Sequence, residues 1–452
     1  MSGNYAEILK HLPSYMKDYD FDAFCQNHKS YEICRDDNSF ELSFYLYEKF
    51  NIEINSLDID ALKEEVPFNL FKVLIRDKAH FKRLAAKKQE KVIFTMYSIM
   101  NDWLIKSKPD YVFLPIIESI DSMLLYYLAK AKNIQTICYG HARQVNRSYF
   151  SDSYLEELPR FKNKIPTTNE HLKSANEFLE NYINNPSKMN YAKQLEKLYL
   201  DFEDKNQESY TTKKSVLMRL FINISLKMGK EKWNQLLLLW IKVLVNLERI
   251  VLPIQKQAYL IFELIYLRPL KSLPEKFDYF PLHFSPESSI NTPAPYYIDQ
   301  MRVIDEIMLK REANHILIVK EHPAMYLKRN FSFYRLLKKK PFVRIISKKF
   351  NSQELILKAD CTYSVTGTAC LEAFLLGKKW HMLGSIFLKE YIKVNPEASV
   401  QDFLVETLKT SGEFVLFSPP RIDGIHKKAL FAKQNLSNMA NYFRFYIQET
   451  AF

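Results

Sequence analysis

Apolar and polar positions alternate along two stretches of the chain in the order expected for parallel β-sheets. The first stretch lies between residues 91 and 139 and predicts a helix over 91–106, a strand over 111–114, a helix over 121–132 and a strand over 135–139. Strands that alternate with helices in this way indicate βαβ units and a parallel sheet. Residues 1–90 are mixed and aromatic-rich, and their pattern places no element.

The alternation returns after residue 276. Strands are predicted over 277–282, 316–319, 343–347, 362–365 and 380–383, and helices over 296–311, 331–339, 352–359 and 369–376. Five strands joined by helices are typical of a doubly wound domain. A last helix is predicted over 430–446.

Between these stretches, over about 166–267, no strand pattern is present and long helical segments dominate. Residues 233–251 are strongly apolar. They are too short to span a bilayer, and polar residues such as Lys242 and Glu248 interrupt them. Two interpretations stay open for this segment. It forms a helix buried in the core, or a helix whose apolar face rests on a membrane.

A chain of 452 residues is too long for one ordinary hydrophobic core. The predicted fold class is α/β, with two Rossmann-like doubly wound domains that face a cleft and a helical middle segment. We expect an N-terminal Rossmann-like domain over 1–165, a helical insertion or connector over 166–268, a C-terminal Rossmann-like domain over 269–430 and a closing helix over 431–452.

The composition narrows the class of protein. Apolar residues make up 47% and charged residues 26%, which is typical of a folded globular chain. The five cysteines are odd in number and form no C-x-x-C pair, so neither a disulfide framework nor a zinc site is expected. The first residues show no signal-peptide pattern and no run of 18 apolar residues occurs, which predicts a cytoplasmic protein.

The net charge is +12, and many lysines stand in short runs such as Lys338 to Lys340. A solvated lysine-rich surface explains this charge most simply. The alternative is attraction to an anionic membrane surface, an acidic glycan or nucleic acid. No zinc finger, aromatic RNA-binding signature or arginine-rich arm is present, so nucleic acid is not an expected partner.

Ligands of doubly wound domains bind beyond the carboxyl ends of the strands. The strand over 362–365 runs into Thr366-Gly367-Thr368 at the start of a helix, where backbone N–H groups and two hydroxyls suit a phosphate. Gly367 permits close approach of the backbone. Glu372, about one turn further along, suits sugar hydroxyls. The alternative is an ordinary N-cap with a solvent-facing glutamate.

A second strand end carries the sequence Lys320-Glu321-His322-Pro323 after the apolar strand over 316–319. The proline fixes the turn, and an imidazole at this place can donate to a phosphate oxygen of a leaving nucleotide. We therefore predict His322 as a nucleotide-binding residue and keep its neighbours Lys320 and Pro323 as candidates for the same site. A purely structural role for His322 is the alternative.

A third strand end, after residues 277–282, carries His283 between Pro281 and Pro286, and Glu287 directly after the second proline. Both residues are candidates for ligand binding, because they follow a strand of the same sheet. The alternative is a rigid loop between domains.

These three segments, in this order and spacing, resemble the capsule polysaccharide biosynthesis family, which includes bacterial Kdo transferases of capsule assembly. The similar segments cover about residues 109–160 and 275–385. The resemblance implies a GT-B glycosyltransferase that requires no metal. In the related sialyl- and Kdo-transferases a His-Pro pair contacts the cytidine nucleotide, and it corresponds to His322 and Pro323. Cys370 and the sequence Gly377-Lys378-Lys379 depart from the family pattern and leave the donor open.

The resemblance further implies transfer of Kdo, or of another acidic sugar, from a CMP donor onto a growing capsule or other surface glycan. The partners would be the nucleotide sugar, a lipid-linked or polymeric glycan acceptor and the anionic inner face of the inner membrane, with no cofactor besides the donor. Two alternatives stay open. A GT-B-fold nucleotide-sugar epimerase would act without an acceptor, and a non-catalytic module of a polysaccharide export assembly would keep only the fold.

Transfer also needs a base or a nucleophile from the facing domain. Glu118 and Asp121 follow the strand over 111–114, and His141 and Arg143 follow the strand that ends at residue 139. A carboxylate there can deprotonate the acceptor hydroxyl, or attack the anomeric carbon if configuration is retained. The alternative makes Asp121 the N-cap of the next helix and Glu118 a solvated loop residue.

Overall fold

The structure is a computed structural model, and it describes two main stretches of the chain. These are residues 3–186 without 38–39, 41–42, 55–57, 78–83, 116, 145 and 156, and residues 269–450 without 285–287, 312–314, 323–324, 326–328, 347–349 and 417–430. The apolar segment 233–251 lies outside the described residues, as do Glu287 and Pro323.

The described residues form a mixed α/β fold. The strands are β1 Ala23–Cys25, β2 Ser43–Tyr45, β3 Tyr111–Leu114, β4 Gln135–His141, β5 Ser148–Ser151, β6 Phe277–Pro281, β7 Ile316–Lys320, β8 Val343–Ile345, β9 Cys361–Ser364 and β10 Trp380–Met382.

The α-helices precede, join and follow these strands, and a short 3-10 helix spans Pro295–Tyr297. They are α1 Gly3–Leu9, α2 Leu12–Tyr15, α3 His28–Arg35, α4 Leu46–Glu53, α5 Ile59–Glu65, α6 Phe71–Leu74, α7 Ala86–Ser107, α8 Ile120–Ala131, α9 Asn169–Asn184, α10 Ser288–Asn291, α11 Gln300–Lys310, α12 Phe331–Lys339, α13 Ser352–Lys358, α14 Thr368–Leu375, α15 Phe387–Val394, α16 Val400–Thr410 and α17 Lys433–Thr450.

The second patterned stretch folds into one five-stranded sheet in the order β10-β9-β6-β7-β8. The pairs β10–β9, β6–β7 and β7–β8 are parallel. Counted along the chain from β6, this is the order 3-2-1-4-5 of doubly wound nucleotide-binding sheets. All five predicted strands are confirmed. Central strands such as β7 are buried on both faces and therefore consist of a continuous apolar run.

The first patterned stretch contains the predicted β3–α8–β4 unit, in which β3 and β4 pair in parallel from Tyr111 opposite Gln135. The expectation of a purely parallel sheet is wrong here, because β5 pairs with β4 in the antiparallel direction. A short turn joins β4 to β5 and allows the two strands to pair in the antiparallel direction. Arg143 and Asn146 adopt φ angles of 60° and 56° within it, which reverses the chain over a few residues.

The last helix, α17, packs against the sheet formed by β3, β4 and β5. Phe150 of β5 is buried among aromatic rings of this helix, with ring centroids 4.9 Å from Phe443 and 6.0 Å from Tyr446. Tyr5 and Ile8 of α1 belong to the same hydrophobic cluster. Both ends of the described chain thus contribute to one core.

The described residues divide into two compact units. The first lies within 1–191, 285–303 and 362–452, and the second within 192–284 and 304–361. The predicted domain boundaries at residues 165, 268 and 430 stay predictions. Within the described part of the chain, no helix is long and apolar enough to cross a membrane.

Candidate active site

The threonine turn, residues 364–368, belongs to the first unit and connects β9 to α14. Gly367 is the N-cap residue of α14, and its N–H donates to Ser364 Oγ at 2.9 Å. Gly367 has no side chain that could cap the first turn of this helix, whereas the N-cap residues Asn330 and Asn351 cap α12 and α13. A helix start without a side-chain cap suits an anion, because its first N–H groups lack acceptors within the helix.

Gly384, which the sequence analysis did not single out, packs directly on this turn. Its N–H donates to the Val365 carbonyl at 3.0 Å. A Cβ atom at position 384 would lie 2.9 Å from Thr366 Cγ2 and 2.9 Å from the Val365 carbonyl oxygen. Thr366 can therefore pack at this position only because residue 384 has no side chain. The importance of Gly384 could have been recognised from the sequence, because it follows a predicted strand in a chain with only 8 glycines.

Glu372 lies on α14 and is only 4% exposed. The alternative of a solvent-facing glutamate is therefore wrong. Tyr182 of α9 also belongs to the first unit. The pKa of its phenol is raised, mainly because the phenol is buried and secondly because of the charge of Glu372. A buried carboxylate on the helix of the threonine turn suits the binding of hydroxyl groups, which donate to it.

The loop after β3 carries Glu118 and leads into α8. Ser119, not Asp121, is the N-cap of this helix and forms a capping box with Ser122. Asp121 lies in the first turn, is buried and accepts a hydrogen bond from the Ser119 hydroxyl. Glu118 is partly exposed, and its charge contributes to the raised pKa of Tyr5, whose main causes are burial and Tyr139.

One segment of the first unit lies next to both this loop and Gly384, the residue that packs on the threonine turn. The Thr292 hydroxyl donates to the Ile117 carbonyl at 3.0 Å, next to Glu118. Two residues further on, the Ala294 Cβ atom lies 3.1 Å from the position of a Cβ at Gly384. Residues 292–294 thus link the loop that carries the predicted base to the turn predicted to bind the phosphate.

His141 ends β4 and has a defined hydrogen-bonding state. Its Nδ1 accepts the backbone N–H of Arg143 at 2.9 Å. Burial, and then the charge of Arg143, lower the pKa of His141 to about 3. The ring is therefore neutral near pH 7 and carries its proton on Nε2, where it can act as a donor.

In the second unit, His283 follows β6 and is buried, with 7% exposure. Burial, and then the neighbouring Arg329, lower the pKa of this imidazole to about 4. The ring is neutral near pH 7 for that reason. The adjacent Leu282 N–H donates to the Lys320 carbonyl at 2.8 Å, which joins the ends of β6 and β7.

Glu321 follows β7 and connects several groups of the second unit. It accepts two hydrogen bonds from Arg329, Nε to Oε2 at 2.7 Å and Nη2 to Oε1 at 3.0 Å. It also accepts the Tyr334 hydroxyl at 2.6 Å and the His322 backbone N–H at 2.8 Å. Arg329 Nη2 donates in addition to the His283 carbonyl at 2.9 Å. The sequence analysis assigned no role to Glu321 or Arg329.

The predicted nucleotide-binding residues at this strand end differ in their surroundings. The His322 side chain is partly exposed, and its ring lies 6.0 Å from the Phe284 ring. Lys320 is buried, and its Nζ donates to Ser352 Oγ at 3.0 Å, at the start of α13. His322 therefore has the more accessible side chain of the two.

The structure thus places the predicted residues in two sets. The second unit contains His283, Lys320 and His322, whereas the first contains the remaining described candidates, namely Glu118, Asp121, His141, Thr366, Gly367, Thr368 and Glu372. Among the described residues, no group of three or more His, Cys, Asp and Glu side chains could hold a metal ion. Independence from metal stays a prediction.

No model of a known protein family matches the sequence, and no curated protein matches it significantly. Among solved structures, the KpsC β-Kdo 2,7-transferase of Thermosulfurimonas dismutans is similar over 82% of this chain and 97% of its own, with 15% identity and a TM-score of 0.33. The KpsC β-Kdo 2,4-transferase of the same organism matches 67% of this chain and 80% of its own, with 12% identity and a TM-score of 0.34.

The UDP-GlcNAc 2-epimerase of Methanocaldococcus jannaschii, in complex with UDP-GlcNAc and UDP, is similar over 98% of this chain and 98% of its own. The identity is 9% and the TM-score 0.25. All three TM-scores are too low to establish a shared fold.

Proposed function

We propose that this chain is a GT-B glycosyltransferase that moves a sugar from a nucleotide donor onto a capsule or other surface glycan. The observation that carries the proposal is the threonine turn. A strand of a sheet with the doubly wound order leads into a helix whose N-cap residue is the glycine Gly367, and a buried glutamate follows on the same helix. This arrangement suits a phosphate and, beside it, the hydroxyl groups of a sugar.

The roles of the residues follow from the bond that breaks. When the anomeric C–O bond to the phosphate cleaves, the electron pair and the negative charge stay on the phosphate oxygen. The N–H groups at the start of α14 would stabilise such a charge. The proposed role of His322 is that of a hydrogen-bond donor to a phosphate oxygen of the nucleotide. The sequence Lys320 to Pro323, together with the family resemblance, favours a CMP-linked donor such as an activated Kdo.

The acceptor hydroxyl must lose its proton as the new bond forms. Of the two candidate carboxylates, Glu118 suits the base better, because it is partly exposed whereas Asp121 is buried and bonded to the Ser119 hydroxyl. His141, neutral and protonated on Nε2, would orient the acceptor as a hydrogen-bond donor. A lipid-linked acceptor would confine the enzyme to the anionic inner face of the membrane, in line with the net charge of +12.

A panel of nucleotides tests the proposal. The unmodified protein is heated with CMP, UDP or GDP, each with and without EDTA, and its unfolding temperature is recorded. A ligand that binds only the folded state raises this temperature by mass action, and we expect CMP to do so in both conditions. If none of the three nucleotides stabilises the protein, the proposed function is wrong. An effect that EDTA removes would contradict metal independence.

Turnover then separates the transferase from its alternatives. With CMP-Kdo as donor and a lipid-linked glycan as acceptor, release of CMP should depend on the acceptor. An epimerase would convert the nucleotide sugar without any acceptor, and a non-catalytic module would release no nucleotide with either substrate.

A further inference from the structure

Glu321 and Arg329 form an ion pair that is almost completely removed from solvent. The side chain of Arg329 is 8% exposed and that of Glu321 is 11% exposed. The guanidinium makes two hydrogen bonds to the carboxylate, the geometry that only arginine can offer. It also lies over the Phe333 ring, with Cζ 4.6 Å from the ring centroid. The orientation of Arg329 is therefore strongly fixed.

Besides the bond that Glu321 accepts from the Tyr334 hydroxyl, the pair bonds to the main chain of two histidines. Arg329 Nη2 donates to the His283 carbonyl, and Glu321 Oε1 accepts the His322 N–H. His283 follows β6 and His322 follows β7, so the pair joins the ends of two neighbouring strands. Both histidines are candidate nucleotide-binding residues.

We propose that Arg329 is a positioning residue, which sets the His283 and His322 imidazoles in one arrangement by holding the backbone of the first directly and that of the second through Glu321. The claim that these two imidazoles bind a nucleotide rests on the proposed function. The positioning role itself rests only on the hydrogen bonds of Arg329 and Glu321.

Stability alone is a weak reason for such a pair. Burying two charges costs desolvation free energy, and well-packed apolar side chains of similar volume are often as stabilising or more so. An apolar pair, however, cannot donate to the His283 carbonyl or accept the His322 N–H. This difference allows the positioning role to be separated from a structural one.

Three variants make the test. Arg329→Lys keeps the positive charge but cannot make the paired bonds to Glu321 together with the bond to His283. The double variant Glu321→Met with Arg329→Met removes both charges and keeps comparable volume. Arg335→Lys is the matched control, because Arg335 is an exposed arginine on α12.

The first readout is CMP affinity, measured by calorimetry. We expect Arg329→Lys to weaken binding about tenfold or more, since misplacement of binding groups has effects of this size. The double Met variant should stay folded with a lower unfolding temperature, because the bonds to Tyr334 and to the two main-chain groups are lost, and it should still bind CMP weakly. Normal CMP affinity in the double variant would overturn the proposal, because the positions of the histidines would then not depend on the pair.

The second readout needs no nucleotide. The imidazole Cε1–H signals of His283 and His322, assigned with His283→Gln and His322→Gln, are followed by NMR in the protein without ligand. Both signals should shift in Arg329→Lys and stay unchanged in Arg335→Lys. If neither signal moves in Arg329→Lys, the positioning role is excluded. If the signals shift but the unmodified protein binds no nucleotide, the proposed function fails and the positioning role stands.

Discussion

Gly384 leaves no room for a side chain beside Thr366, since a Cβ atom there would lie 2.9 Å from Thr366 Cγ2. We expect Gly384→Ala to displace the threonine turn, to destabilise the fold by about 1–3 kcal/mol and to weaken nucleotide binding. Thermal unfolding and calorimetry measure the two effects.

Gly377→Ala is the control, because Gly377 has a φ angle of 63° and no atom would lie within 4 Å of an added Cβ. It should cost about 1 kcal/mol of stability through its backbone conformation alone. Its nucleotide affinity should be normal. Equal losses of affinity in both variants would mean that Gly384 acts only through stability.

Gly367→Val should abolish nucleotide binding while it leaves the fold largely intact. The φ and ψ angles of Gly367 are −78° and 160°, a conformation that valine adopts readily, and the N–H that bonds to Ser364 remains. Only the approach of a ligand to the backbone is blocked. Gly367→Ala should show a smaller loss in the same calorimetric titration, and unchanged affinity in the valine variant would refute the phosphate role.

His322→Ala should lower both nucleotide affinity and turnover, with a loss of roughly 2–4 kcal/mol in transition-state stabilisation, as is typical for one donor to a developing charge. Steady-state kinetics with donor and acceptor measure this loss. His381→Ala, which removes an exposed histidine on β10, serves as the control. A folded His322→Ala protein with normal turnover would leave His322 only a structural role.

The low pKa of His283, about 4, predicts a pH dependence of stability. In the unfolded chain this imidazole takes up its proton near its ordinary pKa of about 6.5, whereas in the folded protein it stays neutral until about pH 4. Its contribution to stability is therefore complete above about pH 6.5 and is lost, at about 1.4 kcal/mol per pH unit, as the pH falls towards 4.

His283→Gln should remove this part of the slope. Urea unfolding of both proteins at several pH values between 4 and 7 isolates the histidine, because the carboxylates contribute equally to the two curves. Parallel curves for the two proteins would show that His283 has an ordinary pKa.

The net charge of +12 predicts attachment to anionic membranes. Each lysine near such a surface contributes about 1 kcal/mol, and salt weakens the attraction. The protein should float with liposomes that contain anionic lipid at low salt, less at high salt and not with neutral liposomes. Failure to float at low salt would exclude the membrane surface as a partner but not the proposed transfer reaction.

The sequence predicts the five-stranded sheet well because its strands are local features. A buried parallel strand such as β7 is a continuous apolar run, and the polar segment after it is equally visible. The same is true of the threonine turn, where a strand, a glycine and a helix follow one another within about ten residues. Elements of this kind can be predicted without knowing which residues far apart in the chain are in contact.

Other features depend on contacts that no local pattern encodes. Residue 384 must be a glycine because the Thr366 methyl group packs against it. Thr292 donates its hydrogen bond to the Ile117 carbonyl, which is 175 positions away in the chain. Arg329 lies in a loop without periodicity, so its pairing with Glu321 leaves no trace in the pattern. β5 has only four residues, Ser148–Ser151, and two of them are polar, so its sequence shows no clear strand pattern.

The packing of α17 has a consequence for synthesis on the ribosome. Tyr149 and Phe150 of β5 cannot complete their apolar environment until residues 439–447 have left the exit tunnel, because those residues form one side of the cluster. Nearly 300 further residues must be translated in the meantime, which takes roughly 15–60 s at bacterial elongation rates. During that interval the nascent chain exposes an aromatic sheet face, which makes it a natural client for chaperones that bind apolar segments.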